Sequence, residues 1–167
     1  MRKVYFYPHS YLRDRQLETI RQWPSSEVVN PEIALNRVGN QVNKNKAIAN
    51  KINFSWKQKL PLLNIKWPPE KLDKDTVLYV WGGLTFKGLF ITELDNPWSL
   101  VGYNIKAMKL YSLLIKKILQ SERCVQINCM SQACRESLKI LFGNEIYNKS
   151  KLIYPAECTL IELYDTP

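Results

Sequence analysis

Acidic residues are missing from one long stretch of this chain. None occurs between Glu32 and Glu70, while Arg37, Lys44, Lys46, Lys51, Lys57, Lys59 and Lys66 all lie there. The formal net charge is +9, so this segment carries a large part of the excess. Histidine is nearly absent too, with His9 alone, and the four cysteines (Cys124, Cys129, Cys134, Cys158) form no CxxC pair. Neither pattern fits zinc-ligand spacing, so no metal site is expected. The cysteines read as buried, reduced thiols of a cytoplasmic protein. There is no GxGxxG, and after Gly83-xxxx-Gly88 the next residue is Leu89, where a phosphate-cradling Walker loop needs lysine. That departure argues against an NTPase. No apolar run approaches the ~18 residues of a membrane span. The basic start, Met1-Arg2-Lys3, meets only four apolar residues before Pro8, which makes no secretory signal.

What is present fits one domain, residues 1–167, by the usual length prior. Such a chain buries roughly 68–70% of its unfolded surface and needs no staples. The acid-free segment interleaves its cations with Phe54, Trp56 and Trp67. Three readings stay open for it. It is a solvated face, or a surface attracted to anionic lipid through Lys44, Lys46, Lys51, Lys57 and Lys59, or a basic, aromatic nucleic-acid contact. No recognisable nucleic-acid module accompanies it.

Hydrophobic periodicity alternates between two and about 3.6 along the chain. Strands are expected over 4–7, 27–30, 76–81, 89–94, 123–130 and 151–154. Helices are expected over 11–23, with Ser10 as N-cap, and in one or two basic amphipathic pieces over 33–60. A loop follows over 60–71, where Pro61, Pro68 and Pro69 cluster. The clearest helix covers 108–119, its buried stripe read as Ala107, Leu110, Leu114 and Ile118, with Tyr111, Ile115 and Leu119 beside it. A last helix starts at the N-cap Ser131, buries Cys134, Leu138, Leu141 and Phe142, and stops at Gly143. Alternating strands and helices imply a mostly parallel α/β sheet with helices on both faces. Its ligand crevice should lie at the carboxyl ends of the strands.

Those ends select the candidate residues. Glu93 and Asp95, two apart, should turn together towards the rim while Leu94 faces a packed layer. A close carboxylate pair raises one pKa, which suits general acid or base work, although capping and surface pairing explain such residues equally well. Gly82 and Gly83 permit close backbone approach. His9 sits after the first strand, Ser131 at a helix N-terminus, and Arg135 one turn later. Asn96 ends a strand, and Trp98 and Tyr103 are placed either to stack on a sugar ring or to cover the sheet edge.

"DTVLYVWGGLTFKGLFITELDNPWSLVGYN" (75–104), "CVQINCMSQACRESLKILFG" (124–143) and "KLIYPA" (151–156) together resemble the amino-terminal half of GT-B-fold glycosyltransferases. The likeness is to the retaining, nucleotide-sugar-dependent family 4, and it spans about half the chain. It implies a Rossmann-like, acceptor-side domain. Glu93 and Asp95 would then orient the acceptor hydroxyl or take its proton, and Gly82, Gly83, Asn96, Trp98 and Tyr103 would shape the acceptor site. The acceptor would be a glycan or lipid-linked sugar, with the domain in the cytoplasm or on the inner face of a membrane. The nucleotide-sugar donor would bind a separate carboxyl-terminal domain, expected to be absent from this chain, so no cofactor is expected here. Glu157 and Asp165 have the spacing of that domain's paired acids but not its setting. A non-catalytic binding domain and a basic nucleic-acid-binding protein are the rival classes.

Overall fold

The computed structural model describes residues 3–7, 12–34, 60–69 and 72–153. Its centre is a five-stranded, all-parallel sheet in the order β1-β2-β3-β4-β5. The strands are β1 Val4–Phe6, β2 Val77–Trp81, β3 Leu89–Leu94, β4 Cys124–Cys129 and β5 Ser150–Leu152. Four α-helices pack on it among the described residues: α1 Asp14–Gln22, α2 Ile105–Gln120, α3 Gln132–Phe142 and α4 Asn144–Lys149. Every residue of β2, Val-Leu-Tyr-Val-Trp, is buried. A strand covered on both faces reads as a continuous apolar run, which is the pattern here.

The edge of β1 away from β2 is also used. Val28 forms a parallel bridge with Val4, and Val29 N–H donates to the Val4 carbonyl at 2.8 Å. Asn30 then extends the pairing with its side chain, accepting from Phe6 N–H at 2.9 Å and donating to the Phe6 carbonyl at 2.7 Å. Lys3 and Tyr7 bond instead to β2, so the two partners lie on opposite edges of β1. The chain therefore leaves β1 in one direction through α1 and later proceeds in the other through β2 to β5. Right-handed crossovers in opposite directions place their helices on opposite faces, and the reversal makes a topological switch beside β1.

Packing agrees with that geometry. Ile20 of α1 meets Val4, Phe6, Tyr79 and Trp81 on one face. Residues of α2, α3 and α4 meet Leu78, Val80, Phe90, Leu94 and Ile127 on the other. The fold is thus a Rossmann-like α/β domain with helices on both faces, as the alternation of periods implies. No helix joins β2 to β3; residues 82–88 cross directly, with Leu84 bridged to Ile65.

Several boundaries differ from expectation. Helix α1 starts three residues later than the periodicity suggests, where Gln16 Oε1 accepts from Arg13 N–H at 2.9 Å; Ser10 lies outside the described residues. The strand expected over 27–30 is reduced to the single Val28 bridge, because Asn30's side chain replaces backbone pairing and Pro31 follows. Most of the helical stretch expected over 33–60 lies outside the described residues; Pro31–Ala34 forms a 3₁₀ turn.

The largest correction concerns α2. Ala107, Met108, Ile115, Ile118 and Leu119 are buried, whereas Leu110 is 64% exposed and Leu114 39%. The sequence offers two overlapping apolar stripes, and only the one through Met108 and Ile115 faces the sheet. By contrast, α3 begins and ends as expected: Ser131 Oγ accepts from Cys134 N–H at 3.1 Å, and Gly143 closes it at φ +94°. Cys124, Cys129 and Cys134 are buried and free, and burial pushes the Cys124 thiol up to about 12.

Candidate functional site

Residues paired across a parallel sheet share a face. Trp81 pairs with Glu93, and Glu93 with Asn128; Tyr79 pairs with Ile91, and Ile91 with Gln126. All of these side chains therefore lie on the α1 face, near the carboxyl ends of β2, β3 and β4. There they form a polar chain. Tyr79 Oη–H donates to Glu93 Oε2 at 2.6 Å, Asn128 Nδ2 donates to Tyr79 Oη at 3.2 Å, and Gln126 Nε2 donates to Asn128 Oδ1.

Glu93 is only 5% exposed. Burial raises its pKa above the usual carboxylate value; the Tyr79 and Trp81 hydrogen bonds and the Arg15 charge act the other way, and Asp95 adds a small upward push. Burial and the Glu93 charge also raise the Tyr79 hydroxyl, which keeps it a donor. Arg15 projects from the first turn of α1 and contacts Met130 Sδ beyond β4. Its buried Nε has no hydrogen-bond partner among the described residues. One buried polar chain thus has a guanidinium above it with a donor to spare.

The rim lies just beyond. Leu94 is fully buried on the opposite face, and Asp95 is exposed past the end of β3. Tyr103 Oη sits 3.2 and 3.3 Å from the two Asp95 oxygens. Among the described residues Tyr103 is the one non-glycine residue with positive φ, at +63°. That conformation costs an L-residue of order 1–2 kcal/mol. Its hydroxyl is raised by burial and by Asp95, and the charges of Arg13 and Arg15 reach it. Glu93 and Asp95 therefore do not work as one hydrogen-bonded pair: each holds its own tyrosine.

The other expected residues divide. Asn96 caps the 3₁₀ turn Pro97–Val101, its side chain accepting from Trp98 N–H at 2.9 Å. Trp98 is half-buried against the core of the helix-rich face. Gly82, at φ +63°, accepts from Asn64 Nδ2 on its carbonyl. A Cβ on Gly83 would lie 2.9 Å from Lys66 Cε and 3.0 Å from the Asn64 carbonyl. Gly83 thus admits close approach by the chain's own segment 60–69, and Gly82 by Ser99, 3.1 Å from where its Cβ would lie. Ser131 is exposed and caps α3. Arg135 donates to Ser150 Oγ at 3.2 Å and stacks 4.4 Å from the Tyr147 ring, engaged with α4 and β5. His9, Lys44, Lys46, Lys51, Lys57, Lys59, Glu157 and Asp165 lie outside the described residues.

Arg15, Tyr79 and Asn128 escaped the sequence reading. One signal for them was there: Gln126 and Asn128 alternate along β4 in phase with Glu93 on β3, marking a polar strip on one sheet face. Among the described residues, no three His, Cys, Asp or Glu side chains converge as a metal site would require. No protein-family model, curated protein or solved structure matches the chain.

Proposed function

We propose that this domain binds a sugar-bearing acceptor at the carboxyl rim of its sheet, as the acceptor side of a GT-B-type glycosyltransferase. The observation that carries this reading is the Asp95–Tyr103 pair, held at the rim at the expense of a positive φ on Tyr103. An exposed carboxylate beside an exposed aromatic ring suits a sugar: hydroxyls donate to the acid while the ring covers the C–H face. The pair lies just past the carboxyl end of β3, on the rim at which α/β sheets of this kind bind ligands and two strands from the switch beside β1. The sequence resemblance to family 4 supports the same assignment.

In this reading Asp95 orients the acceptor hydroxyl or takes its proton. Glu93 lies deeper, its pKa raised by burial, so it positions the rim through Tyr79 and beside Arg15 rather than meeting the acceptor itself. The nucleotide-sugar donor would be held by a second domain, facing this rim. Binding of the purified chain to an array of glycans and lipid-linked oligosaccharides, with RNA in parallel, tests the proposal. Wild type is expected to retain a subset of glycans, and Asp95→Asn to weaken them about tenfold or more, the scale of one lost charged hydrogen bond. Folded wild-type protein that retains RNA but no glycan would overturn it.

A further inference from the structure

Helix α2 presents to solvent a surface that neither the core nor the rim uses. Leu110 is 64% exposed, Leu113 76% and Leu114 39%, and one turn earlier Ile105 is 62% exposed. Residues three and four apart are neighbours on a helix, so Leu110, Leu113 and Leu114 form one apolar strip. Lys106, Lys109 and Lys117 are exposed around it. Lys116 is part-buried, and the helix contains no acidic residue at all. Helix formation does not require this arrangement, since polar residues would serve as well on an outward face.

We infer that the outer face of α2 docks on an anionic lipid bilayer. Leucines projecting from a lysine-bearing helix face are suited to the boundary between acyl chains and headgroups. Each lysine near an anionic leaflet adds about 1 kcal/mol of attraction. The chain's net charge of +9 points the same way. A second copy of the chain fits this face less well. Two-fold packing would bring the lysines of one α2 against those of the other, with no carboxylate on either helix to offset them. Nucleic acid would use the lysines but leave the leucines in water. Among the described residues no helix is long and apolar enough to cross a membrane, so the contact is peripheral.

This surface is built from residues 105–117, not from the basic sequence stretch 37–66, and stands whatever ligand the rim takes. Cosedimentation with vesicles of phosphatidylcholine mixed with phosphatidylglycerol, and with pure phosphatidylcholine, provides the test. Wild type should pellet with the mixed vesicles, less so in high salt. Leu110→Ser/Leu113→Ser should bind about tenfold more weakly or worse, given the apolar surface removed. Both positions are exposed, so the circular dichroism spectrum should not change. As a second variant, Lys106→Glu/Lys109→Glu should lose the preference for the anionic vesicles. Wild type that fails to pellet, or a leucine variant that pellets like wild type, would overturn the inference. So would a wild-type dimer in sedimentation equilibrium that the leucine variant dissociates, because the occupant would then be a second copy.

Discussion

Tyr79 and Glu93 meet across two neighbouring strands, phenol to carboxylate at 2.6 Å, on the face of the sheet that α1 covers. The bond ties the interior of β2 to the carboxyl end of β3 and gives a buried acid a fixed partner. Tyr79→Phe removes that donor and the acceptor used by Asn128. Leaving such buried groups unpaired costs about 1–3 kcal/mol. Urea unfolding of Tyr79→Phe should show a loss in that range, and a loss near zero would mean that the bond is not formed in solution.

Glu93 gives the domain a pH signature. Its folded pKa is raised, chiefly by burial, so the native state binds a proton more readily than the unfolded chain does. Stability from this group is complete below the usual carboxylate pKa and is lost as pH rises through the folded value. Glu93→Gln, neutral at every pH and still able to accept from Tyr79, should flatten that decline. Thermal unfolding of both proteins, followed from below the usual carboxylate pKa upwards, should give curves that converge at the acidic end and separate as pH rises. Parallel curves would refute the assignment.

Asn30 does the work of a missing strand. Its amide pairs with both the N–H and the carbonyl of Phe6 in a buried setting. Asn30→Ala leaves both backbone groups unpaired and should cost about 2–5 kcal/mol by denaturant unfolding. Asn30→Asp can still accept from Phe6 N–H but cannot donate to its carbonyl, so it too should destabilise. Wild-type stability in both variants would show that the β1 edge is not closed this way.

Gly82 and Gly102 separate two demands on glycine. Both have φ near +60°, but a Cβ on Gly82 would lie 3.1 Å from Ser99 Cβ, while one on Gly102 would meet nothing within 4 Å. Alanine at either position bears the left-handed strain of about 1 kcal/mol. Only Gly82→Ala adds overpacking, so it should be the more destabilising by about 1 kcal/mol or more. Equal losses in melting experiments would contradict the close packing around Gly82.

Much of the fold was legible in the sequence because its strands and helices have clean periods and punctuation. The run Val77–Trp81, the Asn96-Pro97 stop and the Ser131 and Gly143 caps of α3 each read correctly for local reasons. Helix α2 misled because Leu110 and Leu114 satisfy helical spacing as well as Met108 and Ile115 do, and only packing on the sheet decides between them. The edge contact of Val28 rests on one side chain, Asn30, which composition cannot distinguish from a turn residue. In the site, Glu93 and Asp95 were visible as a pair two apart. Their separate tyrosine partners were not, because Tyr79 arrives from another strand and Tyr103 from a turn of unusual φ.

The Asp95–Tyr103 rim is most directly examined by two-dimensional NMR of the isotope-labelled chain, titrated with acceptor oligosaccharides and, separately, with RNA. The sugar-binding account predicts saturable amide shifts concentrated at Asp95, Asn96 and Tyr103 and spreading to Arg15, absent in Asp95→Asn. Shifts confined to residues away from this rim, or none with any sugar, would contradict it.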